Sequence, residues 1–284
     1  MHGQDFKYVG LGINLMNYPI ILTSPHSGNL YPTFYLENLV TSIDKCHSIE
    51  DMYVDEFIQN FSNQGMKVIT SEYSRAVIDL NRKETEIDKS LINSQNIESE
   101  LTYKVKLGIG LIPSQTPRGK IQFKEKFSSK SFDYLKNEIY LKWHQKLESA
   151  LHEKYLSHGK AFLFDCHSMP SENDSNALAD IVLGNLNGKS CREENLVFVS
   201  DAFKKIGYSV SLNDPYAGGF ITMKYHNLNL GIETLQIELN RSIYMDEDKF
   251  EKKECFESVK KDFEDVIKEF QNYYTFNKQN FAAE

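Results

Sequence analysis

The sequence predicts an α/β fold in which one central sheet is covered by helices on both faces. Two observations carry that prediction. Short apolar runs alternate along the chain with longer amphipathic ones, the pattern of strands buried between helical layers. The composition also supplies a core: 284 residues, 40% hydrophobic and 25% charged, with 18 Phe and 16 Tyr, are those of an ordinary globular chain, not of a disordered or collagen-like one. The reading assigns residues 1–284 to one catalytic domain, with no internal repeat and no Pro/Ser-rich linker.

The elements follow in order. Residues 19–24 (PIILTS) read as a buried strand, and 51–61 (DMYVDEFIQNF) as a helix with Asp51 in its first turn. Residues 66–70 and 76–80 (AVIDL) read as strands, and 83–100 as a polar excursion over the surface. A long amphipathic helix is expected over 131–155. Strands are expected at 161–164 and 180–184, a helix over 193–206, strands at 208–212 and 231–239, and a closing helix over 247–274.

Charge narrows the function classes. Lys and Arg number 32 against 40 Asp and Glu, a net charge of −8, which disfavours nucleic acid or an anionic membrane as partner and leaves local basic sites for small acidic molecules. The cysteines Cys46, Cys166, Cys191 and Cys255 form no CxxC and read as free thiols of a reducing compartment. The start Met1–Asp5 lacks a basic segment followed by an apolar run, and no stretch approaches the ~18 apolar residues of a membrane span. The expectation is a cytoplasmic protein.

Ligands of such folds sit beyond the carboxyl ends of the strands. Two histidines stand there: His26 after PIILTS and His167 after AFLF. Two imidazoles and a carboxylate make an open zinc site, although a single strand-end His more often serves only as a hydrogen-bonding cap. The carboxylate is Asp51 or Asp55, one helical turn apart. Glu238 closes the run Leu235–Glu238, where a buried acid is costly unless paired or at work, so it is a candidate general base to activate water beside a metal. The alternative is a salt bridge to Arg241 or Arg82. Arg75, Asn81 and Arg82 offer planar forks and an amide to an anionic substrate, against the plainer pairing of arginine with Asp79 or Glu72. The turn Asn213–Gly219 is placed to lay Tyr216 over a pocket, and Leu107–Pro113 is a glycine-containing loop; neither has the glycine spacing of a nucleotide loop. His144 reads as structural, and Cys46 with His47 as a weak extra metal pair. Cys166 points to the opposite face from His167, which argues against a Cys–His nucleophile.

Seven segments in order resemble the N-formylglutamate amidohydrolase family: SPHSGNLYP (24–32), DMYVDEF (51–57), YSRAVIDLNR (73–82), LGIGLIP (107–113), DCHSMPS (165–171), NDPYAGGFIT (213–222) and LQIELNRSIYMDE (235–247). The resemblance implies a zinc-carboxypeptidase-like three-layer α/β/α fold with a central mixed sheet. It implies hydrolysis of N-formyl-L-glutamate to formate and L-glutamate, a step of histidine breakdown, with zinc or another divalent metal as cofactor and a small acidic N-acyl amino acid as partner. It places His26, His167 and Asp51 (or Asp55) on the metal, Glu238 and Arg75 in catalysis, and Arg75, Asn81, Arg82, Tyr216 and Arg241 on the substrate. Two departures stand out. Asn29 lies where an HxxE motif would have its Glu, and Met52-Tyr53 replaces a Trp-His pair, which implies a changed pocket polarity. The alternatives are a zinc amidohydrolase of another N-acyl amino acid or small acidic peptide, and a non-catalytic ligand-binding relative.

Overall fold

The computed structural model describes residues 17–94, 97–173 and 176–276. The amino-terminal segment, on which the leader expectation rests, lies outside them. A six-stranded sheet is built from β1 (Ile20–Ser24), β2 (Lys67–Thr70), β3 (Ala161–Met169), β4 (Ile181–Gly184), β5 (Val210–Leu212) and β6 (Ile232–Asn240), in the order β5-β4-β6-β3-β1-β2. All neighbours are parallel except the antiparallel pair β4–β6. The sheet is therefore mixed, as the resemblance implied.

Alternation along the strands divides the core in two. Ile20, Leu22, Phe162, Phe164, Leu235 and Ile237 face one way. They pack against Val54, Phe57 and Ile58 of α1 (Val54–Ile58) and against two further helices of the same layer. On the other face, Ile21, Ala161 and Leu163 meet Leu147, Ala150 and Leu151 of α2. This long helix runs from Ser129 to His158, with a π-helical stretch at Leu135–Leu141. α3 (Glu193–Lys205) and α5 (Phe256–Phe276) complete the first layer, and α4 (Phe220–Tyr225) lies on the second. Phe57, fully buried, meets Tyr244, Phe256 and Phe263 edge-on, so its truncation to Ala should cost about 3–5 kcal/mol.

The structure departs from the sequence reading in four places. Residues 76–80 form no strand. Val77, Ile78 and Leu80 are buried, but the backbone of this segment bonds locally and to a loop: Val77 N–H to Ser74 O (3.0 Å), Asp79 N–H to Leu111 O (2.8 Å) and Asn81 N–H to the Asp79 carboxylate (2.8 Å). An apolar run was thus buried without a ladder. The Asp51 helix starts at Val54, because Tyr53 takes a left-handed φ of 68°, and from Gln59 to Gln64 it tightens to 3₁₀. The last helix starts at Phe256, after a small hairpin pairing Met245–Asp246 with Glu251–Lys252. Finally, β3 runs on past Phe164 through His167, so that residue lies within the strand near its carboxyl end, while Glu238 lies within β6 as the strand expected at 231–239 has it. All four cysteines are free, and among the described residues no helix is long and apolar enough to cross a membrane.

Candidate metal centre and active site

The sheet face that carries Ala161 and Leu163 turns polar toward its carboxyl edge. Period-two alternation places Asp165 and His167 next on that face. In register on β6 stand Gln236 beside Asp165 and Glu238 beside His167, and on β1 Thr23 stands beside Asp165 and donates to its carboxylate (3.1 Å). His26 follows β1 by two residues. Its carbonyl accepts the Asp51 N–H at 3.0 Å, which draws the loop before α1 over the strand ends.

His26, Asp51 and His167 meet there, each at most 3% exposed. Their ligand atoms all lie within 4.8 Å of one another, the one such metal-competent group among the described residues. The Nδ1 atoms of His167 and His26 face the same Asp51 oxygen at 2.9 and 3.4 Å. The opposite nitrogens meet carboxylates: His26 Nε2 lies 2.7 Å from Asp79, and His167 Nε2 lies 3.1 Å from Asp165. Carboxylates behind imidazoles fix ring orientation and tautomer in metal sites. Buried His26 Nδ1 has no hydrogen-bond partner and stands 3.4 Å from the Asp51 oxygen, a nitrogen free for a ligand role. Two nitrogens and one oxygen so arranged fit a divalent ion with a coordination position open. Burial opposes the Asp51 carboxylate, yet His167 and His26 hold it well below its usual range; burial likewise opposes protonated His167, but Asp165 and Asp51 hold its proton well above the usual range. Three carboxylates, Asp51, Asp79 and Asp165, thus surround the two imidazoles.

The group opens into a cavity of about 670 Å³. Glu238 lines it, 8% exposed, its carboxyl pushed up to about 7 chiefly by burial and lowered in part by His167. Gln236 donates to one Glu238 oxygen at 2.5 Å. No salt bridge joins Glu238 to Arg241 or Arg82. Arg241 is occupied by Ser168, Ser48 O, Glu50 O and Asp51, the last at 3.2 Å. Arg82 donates to Ile109 O and Asn81 O. Arg75 uses only its Nε on Asp79 (2.9 Å). Asn81 is held between His167 Nε2 (3.2 Å) and the Ile221 N–H (2.8 Å), and Tyr216 lies half-buried on the cavity wall.

Asp55 is not part of the metal-competent group, nor are Cys46 and His47; His47 faces Glu50 at 2.8 Å. Met52 and Tyr53 do not line the cavity: Met52 packs against the core and Tyr53 donates to Phe250 O, so the implied change of pocket polarity does not follow. Cys166 points into the apolar core, opposite His167. His144 is packed beside Tyr225, 2.6 Å from its hydroxyl. Sequence reasoning missed Asp79, Asp165, Gln236 and Lys104 as site residues. Asp165 and Gln236 were detectable, each two positions before a residue already singled out on the same strand; Asp79 and Lys104 carried no such signal.

Fold and site together define an α/β protein with a buried candidate metal centre at the carboxyl ends of its parallel strands. The chain belongs to the N-formylglutamate amidohydrolase family, whose model matches residues 18–245, and so to a family of hydrolases. It is 30% identical over 240 residues to an N-formylglutamate deformylase of Pseudomonas putida, covering 81% of this chain and 82% of that one. It is 26% identical over 237 residues to the deformylase of Pseudomonas aeruginosa, covering 81% and 83%. The crystal structure of N-formylglutamate amidohydrolase from Ralstonia eutropha JMP134 superposes with a TM-score of 0.85 at 26% identity, covering 91% of this chain and 94% of that one.

Proposed function

We propose that this chain hydrolyses N-formyl-L-glutamate to formate and L-glutamate. The observation that carries the reading is the placement of Glu238 beside the His26–Asp51–His167 group in one cavity. A divalent ion of the zinc class, held by these three side chains, would polarise the formyl carbonyl and lower the pKa of a water toward ~7. Asp79 and Asp165 hold the two imidazoles in the required tautomer. Glu238 takes a proton from the attacking water, whose oxygen bonds to the formyl carbon. It then gives that proton to the leaving nitrogen as the C–N bond breaks. A carboxyl pushed up to about 7 is poised for both transfers at neutral pH. Gln236 holds one Glu238 oxygen and leaves the other for the proton. Arg75, which lines the cavity with only its Nε taken by Asp79, faces the oxygen that gains charge, and Arg82 with Asn81 and Tyr216 orients the substrate carboxylate, while Arg241 holds Asp51 in place. The free cysteines suit a cytoplasmic setting, and the reaction suits the breakdown of histidine.

The test is formate release by the purified chain from N-formyl-L-glutamate, N-acetyl-L-glutamate and a formylated neutral amino acid. The reading expects N-formyl-L-glutamate to be the best substrate. Faster turnover of the acetyl compound would move the activity to another N-acyl amino acid, and no turnover of any would leave a binding protein.

A further inference from the structure

Four cations line the cavity: Arg75, Arg82, Lys104 and Arg241. Three are engaged by the protein. Arg241 makes four internal bonds, Arg82 donates to two carbonyls with donors to spare, and Arg75 holds Asp79. Lys104 is different. Half-buried in the cavity wall, its ammonium makes no hydrogen bond or ion pair with any described residue.

Its position is built by the fold. Lys104 sits in the single helical turn Tyr103–Lys106, whose first turn is capped by the Thr102 hydroxyl (3.3 Å to the Val105 N–H). The same hydroxyl donates to Glu86 at 2.8 Å, and the Glu86 carbonyl accepts the Leu111 N–H at 2.7 Å. Leu111 O in turn accepts from Asp79, the residue behind His26. A chain of bonds thus ties the Lys104 turn to the metal centre, and the loop after it, through Ile109 and Pro113, closes the same wall.

Resting on the hydrolase reading above, we infer that Lys104 is the specificity-determining residue for the second carboxylate of a dicarboxylate substrate. A substrate with one carboxylate on the Arg75–Arg82 side presents its side-chain carboxylate to the remaining free cation. Supporting this, burial and the charge of Arg82 depress the Lys104 pKa, a penalty that an anion lying between the two would relieve. Two anion sites, one forked and one a point charge, select an acidic side chain over an amide of the same shape.

The experiment compares N-formyl-L-glutamate with N-formyl-L-glutamine in wild type, Lys104→Met and Lys104→Arg. Loss of one charge-assisted contact is expected to reduce the preference for the glutamate compound about 10- to 100-fold in Lys104→Met, mainly through KM. Lys104→Arg should restore most of it. An unchanged ratio, or an equal fall for both substrates, overturns the assignment. Calorimetric titration of glutarate and butyrate into the same proteins separates this inference from the hydrolase reading. If wild type releases no formate, that reading fails, and the glutarate-to-butyrate affinity ratio still decides Lys104: a fall of about tenfold in Lys104→Met supports the site, and no change removes it.

Discussion

Replacing Glu238 by Gln tests the chemistry and the packing of the centre together. The substitution keeps the shape, and a Gln at 238 can still accept from Gln236, whose amide lies 2.5 Å from the present carboxylate. What is lost is a proton acceptor. Removing a general base typically costs about 10²–10⁴-fold in rate, a barrier higher by about 3–5 kcal/mol. Stability should move the other way. The Glu238 carboxyl rises from an ordinary 4.5 to about 7 in the fold. As pH climbs through that window the unfolded chain gives up its proton first, so the fold loses stability on the rise. At about 1.36 kcal/mol per pH unit, ionised Glu238 costs the metal-free fold about 3 kcal/mol at neutral pH. Glu238→Gln removes that cost. In chelator-treated protein the variant should therefore melt above wild type at pH ~7 and match it near pH ~4. The assay is formate release, with metal content and thermal melts on the same preparations. A near-wild-type kcat would remove Glu238 from the mechanism; a variant that melts lower at neutral pH would show that Glu238 is held by a partner the geometry does not contain.

Three further outcomes are expected. Asp51→Asn should lose the metal on elemental analysis and Asp55→Asn should keep it, because only Asp51 shares the group with His26 and His167; the reverse result would relocate the third ligand. Gly219→Ala should cut kcat/KM at least ~10-fold, since its Cβ would stand 2.3 Å from the Asn81 amide that orients His167, and overpacking of that kind costs about 1–3 kcal/mol. Adding Asn81→Ala should make the two losses non-additive, and simple additivity would break the proposed contact. His144, buried beside Tyr225, has its pKa pushed down to about 3. The unfolded chain protonates first as pH falls below 6.5, so stability is lost on acidification. The unfolding free energy of His144→Phe should then fall less steeply with acid than wild type, by roughly 1.4 kcal/mol per unit near pH ~5, and parallel slopes in urea titrations would contradict it.

Much of this architecture was legible because the strands are bounded apolar runs. IILTS, AFLF and LQIEL each lie in the sheet; the rule that ligands gather at carboxyl ends points to His26 and His167, and the cost of a buried acid points to Glu238. AVIDL misled because its β-branched residues are buried by α2 while its backbone bonds are met by Ser74 and Leu111, a tertiary solution that periodicity does not encode. Asp79 was hidden for the same reason: as a strand residue it reads as a partner for Arg75, whereas in the loop it also stands behind His26. Lys104 reaches the cavity only through the folding of residues 83–113, where Leu111 bonds to Glu86 and to Asp79, contacts that leave no mark in local spacing.

The central claim is that the His26–Asp51–His167 group is a metal centre that drives deformylation. Titrating zinc into chelator-stripped protein while measuring formate release from N-formyl-L-glutamate tests it most directly. The account predicts negligible release at the start and a linear rise that saturates near one ion per chain. Full turnover in stripped protein, or saturation unaffected by His26→Ala with His167→Ala, would contradict it.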